Sequence, residues 1–407
     1  MIITDLPLTI QDAITTTRIL GFRYLWIDSA CIIQDSAEDW DRESRQMGSI
    51  YELSFCTIAA TCAKDSASGF LKFRSHTTIR LKAGGNMYLP DQGYMYFTNQ
   101  PTSDPHCIEE ATLNTRGWVL QERLLSRRII HFAEDQIYWE CRYHVAAEDG
   151  LLKPDMQPGQ DQLMGVTRAL TQRPSTETFV TLWLNVIERY SQLKFTFEKD
   201  RLPGLLGLKE QLASLTDLHY VEGHWFSSPG NAIPRSLLFY VDGFEGVHCA
   251  EKQHPSWSWV GKGSAVTYEA TNSLPTATYI SMEDRTILIR GHIFPAWLDP
   301  KQESEANRIH GIFCDVDAQK MEHPRIHRMR EKNRDSQGQI KFDSVTHMPS
   351  AFQCLWVFTH ASGSNAFLAL EGIDSPQGIS TYRRVGMGSF HRFVELPLGQ
   401  EKEISIT

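Results

Sequence analysis

Apolar positions in the first 150 residues change period several times, and each change predicts an element. Ile10, Ala13 and Ile14 share one face of a helix that Thr9 can cap and Gly21 can stop. Tyr24-Leu25-Trp26-Ile27 is an unbroken apolar run between polar residues, the pattern of a strand buried on both faces of a parallel sheet. After Ser36, a candidate cap, Trp40, Met47, Ile50 and Tyr51 recur at helical spacing, and Phe55 to Ala60 is apolar again. Strand, helix and strand in quick succession fit a right-handed βαβ crossover, so the N-terminal domain reads as α/β with a parallel sheet. Residues 64–115 resist reading because Gly84-Gly85, Pro90, Pro101 and Pro105 break any long element. A helix from Arg116-Gly117 carries Trp118, Gln121, Glu122 and Leu125. Alternation over Arg128–Phe132 and Gln136–Cys141 predicts two strands around the turn Ala133-Glu134-Asp135.

Residues 150–173 are rich in Pro, Gly, Asp and Gln, which marks 150–175 as a linker between a domain at 1–149 and a region at 176–407. That second region opens with helices over Thr176–Leu193 and Leu205–Ser214. After about Trp225 it becomes β-rich, with short apolar runs such as SLLFYVDG, SWSWVGKG, TILIRGHIF and LWVFTH. No repeat at solenoid or propeller spacing is present.

A chain of 407 residues exceeds what one core usually organises, which agrees with two domains. A net charge of −9 argues against a nucleic-acid or anionic-membrane footprint. The basic-leaning stretch Lys320 to Arg334 reads as a solvated loop. No stretch is apolar for long enough to span a membrane, and the N-terminus lacks the pattern of a secretory signal. The eight cysteines contain no CxxC pair, which fits reduced thiols in a cytoplasmic protein.

The residue that stands out for chemistry is Glu43. At 100° per residue it falls about 60° from Trp40, within the arc of Met47, Ile50 and Tyr51. A carboxylate on an apolar face must be paired, neutral or functional. The pattern leaves two readings open, a functional acid and a structural partner of a core Arg. Asp28 directly follows the apolar run Tyr24–Ile27, at the strand end where open parallel sheets bind ligands, or it bonds loop amides. Glu122 stands one turn from Trp118 and repeats the theme of Glu43, with Arg116 and Arg123 as candidate ion-pair partners. Cys31 has no activating base nearby in sequence and reads as inert; His131 and His144 read as ordinary strand or loop residues. Walker-type, GxGxxG, HExxH and GxSxG motifs are missing.

The same segments carry a family likeness. RYLWIDSACIIQDSAEDWDRESRQMGSIYELSFCTIAAT, residues 23–61, resembles the central block of fungal heterokaryon-incompatibility (HET) domains, W-I-D-x-x-C-I-x-Q-D followed by D-W, Glu and I-Y. TRGWVLQERLLSRRIIHFAEDQIYWEC, residues 115–141, resembles their last block, R-x-W-x-x-Q-E-x-x-L-S. YSQLKFTFEKDRLPGLLGL and HPSWSW resemble segments found downstream of such domains. HET domains open with a block like L-S-Y-x-W-G upstream of the helix at Thr9, and this sequence starts past that point. The resemblance therefore leads us to expect a truncated gene model or a domain without that strand, with backbone left unpaired.

The resemblance implies self/non-self recognition and cell-death signalling, with protein partners and a homo-oligomer among the options. HET domains are regarded as remote relatives of Toll/interleukin-1 receptor (TIR) domains, which implies a TIR/flavodoxin-like parallel sheet. Some TIR domains cleave NAD with a Glu on a helix shortly after a Trp, and Trp40-Asp41-Arg42-Glu43 is similar. On that analogy Glu43 is catalytic, Asp28, Trp40 and Glu122 bind substrate, NAD is the substrate, and no cofactor is needed. A non-enzymatic oligomerisation module and an inactive paralogue are the competing expectations.

Overall fold

Helix α1, Leu8–Ile19, begins after Pro7 and not at Thr9. The Thr9 hydroxyl instead ties the helix to a loop, donating to the Asp65 carbonyl and accepting from the Gly69 N–H, each at 3.2 Å. Gly21, at φ +82°, ends the turn as its conformational freedom allows. Helix α2 is the single turn Asp28–Cys31. Helix α3, Ala37–Leu53, is capped as its sequence predicts: the Ser36 side chain accepts from the Asp39 N–H at 3.2 Å.

The computed structural model describes residues 2–72, 78–82, 94–98, 106–148, 150, 162–169, 172–242, 254–268, 274–304, 309–314, 338–344, 347–359, 363–373, 380–390, 396 and 401–407. The glycines and prolines between 84 and 105, the stretch Lys320–Arg334 and Cys249 lie outside these residues. Two compact units emerge. One comprises Met1–Arg173, Leu193–Thr196 and Pro203–Gln211; the other comprises Pro174–Gln192, Phe197–Leu202 and Leu212–Thr407. Among the described residues no helix is long and apolar enough to cross a membrane.

In the first unit β1, Thr57–Ala59, is followed by the hairpin of β2, Thr78–Lys82, and β3, Tyr94–Thr98. Next come α4, His106–Glu109, and α5, Gly117–Leu125. β4, Arg128–Phe132, β5, Ile137–Cys141, and β6, Val145–Ala147, complete a four-stranded mixed sheet in the order β1-β4-β5-β6. Only β1 and β4 run parallel. Among the described residues Tyr24–Ile27 joins no sheet, and Tyr24 is 87% exposed. An apolar run encodes burial but not a partner, and no described strand lies alongside this one. Part of the expected linker, Gln162–Ala169, is helix α6.

Helix α7, Thr176–Ser191, opens the second unit, with the Ser175 side chain accepting from the Thr178 N–H. Helix α8, Leu206–Ala213, sits mainly in the first unit and brings Gly207 against Gly48 of α3. In the second unit come the short pair β7, His219–Val221, and β8, His224–Phe226, then β9, Phe239–Asp242, and β10, Ala265–Tyr268. The run SWSWVGKG is not a strand. Trp257 and Trp259 are buried from a turn leading into a 3-10 helix, and the Trp259 and Trp183 indoles both donate to the Gly223 carbonyl.

The remaining strands are β11, Leu274–Pro275; β12, Thr278–Glu283; β13, Thr286–Gly291; β14, Ile293–Ser304; and β15, Ile309–Cys314. They continue with β16, Gly338–Phe342; β17, Ala351–Thr359; β18, Asn365–Ile373; β19, Thr381–Phe390; and β20, Lys402–Ile406. The pairings β14-β15-β16-β19-β18-β17-β14 close a ring, antiparallel throughout. All six strands send alternate residues inward, among them Phe294, Ile312, Phe342, Phe352, Phe367 and Phe390, as a filled barrel requires. β13 and β20 flank the ring, and their Ile287, Ile289, Ile404 and Ile406 join a second core with Leu355, Leu368 and Trp257. Gly388 permits the β16–β19 contact, because a Cβ there would lie 2.3 Å from the Gln339 carbonyl oxygen.

At the contact of α3 with α8, a Cβ on Gly48 would lie 2.6 Å from the Gly207 Cα. Gly48→Ala must push backbone and not a side-chain tip, so it should cost at least about 1–3 kcal/mol. Denaturant unfolding of the variant checks this, with Ser49→Ala on the exposed side of α3 as the neutral comparison.

Candidate functional site

Several elements of the first unit surround a cavity of about 740 Å³. One wall is the extended run Tyr24–Ile27 with Asp28, and another is Phe55–Ala60, which contains β1. α1 contributes Ala13 and Thr17, α3 contributes Ile50 and Tyr51, and α5 contributes Val119 and Glu122. Two aromatic contacts tie these segments together: Phe22, just before the first wall, meets Phe55 at 4.6 Å, and Trp26 meets Tyr51 of α3 at 5.8 Å between centroids. A volume of this size lies within the range of small-molecule sites.

Glu122 is the acid that this cavity singles out. Burial pushes its carboxyl up to about 7, and the nearby Asp28 charge adds to the rise. The hydrogen bond from the Tyr51 hydroxyl and the charge of Arg116 oppose it. The Tyr51 phenol is in turn raised well above its usual value, by burial first and then by Glu122. A carboxyl poised near neutrality can take or give a proton at physiological pH.

Arg123 is unavailable to Glu122 because other carboxylates hold it. Its Nε donates to both Glu140 oxygens at 3.0 and 3.1 Å, and its Nη1 lies 2.5 Å from Glu109. His131 Nε2 reaches Glu140 at 2.8 Å, while Nδ1 lies 3.2 Å from the Thr61 hydroxyl. Burial alone would raise the Glu140 carboxyl, but the Arg123 charge and the His131 bond overcome it and hold it at about 2. His131 is thus fixed in a buried network at the cavity wall.

The four residues singled out from sequence fall in two places. Asp28 and Glu122 both line the cavity. Asp28 is exposed at the start of α2, with one carboxylate oxygen accepting the Ser29 N–H at 2.7 Å. Trp40 and Glu43 lie outside the lining. Trp40 packs edge-on against Trp118 at 5.9 Å, and the half-buried Glu43 pairs with Arg42 at 3.2 Å. Cys31 is exposed and free. His144 Nδ1 lies 3.5 Å from the Cys141 sulfur. Sequence reading passed over Tyr51 as a site residue because its ring fits the apolar stripe of α3; its hydroxyl gave no separate signal. Among the described residues no group of His, Cys, Asp and Glu could hold a metal ion.

Residues 1–122 match the family of the heterokaryon incompatibility protein (HET). No curated protein and no solved structure matches the chain.

The raised carboxyl of Glu122 has a consequence for stability. Its folded value of about 7 exceeds the ordinary 4.5, so the folded chain binds more protons than the unfolded chain between those values. Stability therefore falls as pH rises from about 4.5 to 7 and stays lowered above. Glu122→Gln should raise stability at pH 8 by up to about 3 kcal/mol while changing little at pH 4. Urea unfolding at the two pH values checks the sign.

Proposed function

We propose that this HET-domain protein is a cytoplasmic self/non-self recognition module that triggers cell death, and that the cavity of its first unit cleaves NAD. The HET match over residues 1–122 ties the chain to heterokaryon incompatibility. The parallel β1–β4 pair, with helices around it, supports a TIR/flavodoxin-like reading of the domain. The observation that carries the chemistry is Glu122, hydrogen-bonded to Tyr51 and facing a cavity of about 740 Å³ with Asp28 at its rim.

The reaction breaks the bond between the ribose C1′ and the nicotinamide nitrogen. The bonding pair stays on that nitrogen and neutralises its positive charge, so the leaving group needs no proton. Positive charge then builds on the ribose. An ionised Glu122 stabilises it across a short, partly desolvated distance, where a carboxylate counts for far more than in water. A solvent water adds to C1′ and loses its proton to the same carboxylate, which becomes neutral and then releases the proton to solvent. Asp28 and Arg116 position the hydroxyls and the phosphates. No cofactor is required. Glu43, half-buried on α3, is the other carboxylate with a claim to this role, on its likeness to the Trp–Glu pair of TIR domains.

Purified protein incubated with NAD should release nicotinamide, and Glu122→Gln should lower turnover by about 100-fold or more. Turnover should climb as pH rises toward 7 and level off above, as Glu122 ionises. Glu43→Ala is the comparison that separates the two carboxylates. Intact NAD with the wild type ends the enzymatic reading.

One observation favours a second reading, a non-enzymatic module that works by assembly. β1 is the edge of its sheet, and Tyr24–Ile27 beside the cavity has no strand partner among the described residues. Open edges accept strands from other chains. On this reading the particle mass measured by light scattering grows with concentration, and Ile58→Pro, which disrupts the edge strand, keeps the protein monomeric.

A further inference from the structure

Within the second unit, two cations share one carboxylate almost entirely out of water. Asp343 accepts from Arg384 at 2.9 and 3.2 Å and lies 3.0 Å from the Lys262 ammonium. The side chains of Asp343, Arg384 and Lys262 are 5%, 0% and 5% exposed. Arg384 spends its other donors on the Leu237 and Phe239 carbonyls and lies over the Phe239 ring, 3.5 Å from its centre. Carbonyls and a ring face soften the charge of a guanidinium but do not cancel it. A surplus positive charge away from water is costly unless an anion accompanies it.

A cavity of about 140 Å³ adjoins this cluster, lined in part by His254, Lys262, Arg383 and Arg384. Asp343 is the only carboxylate-bearing residue among those lining it. Arg383 is already matched by Glu371, at 2.6 and 2.8 Å. His254 Nδ1 is bonded to Glu222 at 2.7 Å, which leaves Nε2 for another partner. Lys262 gives one N–H to Asp343 and has two more. His254 and Lys262 belong to one stretch of chain and Arg383 to β19, so cationic groups from two distant parts of the sequence meet at the cavity. The neighbouring His224 reports the same positive field: burial first, and then the charge of Arg384, hold its imidazole neutral down to about 3.

We propose that this cavity binds a phosphate group, whose negative charge balances the Lys262–Asp343–Arg384 cluster. The site lies wholly in the second unit and does not depend on the NAD reading. A phosphate-sized oxyanion fits a space that would otherwise hold several waters. Lys262 donates to it, the His254 ring lines the cavity beside it, and Arg383 flanks it with its side chain 43% exposed.

Calorimetric titration of the full chain with sodium phosphate, at ionic strength fixed with sodium chloride, tests this. A saturable heat with one site is expected, with a melting temperature that rises with phosphate and not with chloride. Phenyl phosphate run in parallel distinguishes free phosphate from a phosphomonoester as the source. Lys262→Met leaves one cation to one carboxylate, a balanced cluster, and should weaken phosphate at least tenfold; Lys262→Arg should retain it. Should Lys262→Met not fold, Arg383→Gln, at a more exposed position, should weaken binding several-fold. The absence of saturable heat with both anions overturns the proposal, as does unchanged affinity in the variants.

Discussion

The guanidinium of Arg123 is the constraint on which the first unit turns. It is buried, and it is held by Glu140 on β5 and Glu109 on α4, with His131 of β4 completing the network. Breaking such a group on one side strands a charge away from water, so the geometry is stiff even where its net contribution to stability is small. Fixing Arg123 fixes the rotation of α5. Glu122 is the preceding residue, about 100° away round the helix, and that rotation aims it at Tyr51. Burial raises the carboxyl of Glu122 in the cavity, and Arg123, committed to Glu140 and Glu109, is not placed to offset it. One acid is kept charged by a cation, and its neighbour on the helix is denied that same cation.

Local signals in the sequence translated well into structure. The Ser36 cap, the helix after Gly117, and the hairpin around Ala133–Asp135 depend on residues close together in the chain, and all formed. Signals that need a distant partner did not. Tyr24–Ile27 has the composition of an inner strand, but composition does not supply the adjacent backbone. Trp257 and Trp259 looked like strand residues because they are large and alternate with Ser. Their burial comes instead from a turn whose indoles reach inward. The six-stranded ring was legible only as a β-rich half, since closing it pairs β14 with β17 across more than 40 intervening residues.

The site was legible to the same extent. Asp28 and Glu122 were visible because a carboxylate next to apolar residues is costly unless something answers it. Tyr51 was hidden because its ring satisfies an apolar stripe and its hydroxyl adds nothing to a pattern. Glu43, half-buried on α3, has a partner that a helical wheel does not display. Arg42, one residue earlier, bends over to meet it, and a wheel that treats side chains as points has no place for that reach.

Ring closure in the second unit also orders events during synthesis. Among the described residues the sheet of the first unit has its last strand at Ala147, whereas the ring lacks β19 until residue 390 has been made. β14 to β18 must therefore wait on the ribosome as an open, curling sheet with two reactive edges. Slow, non-local closure of this kind exposes a nascent chain to chaperones and to like chains on the same message.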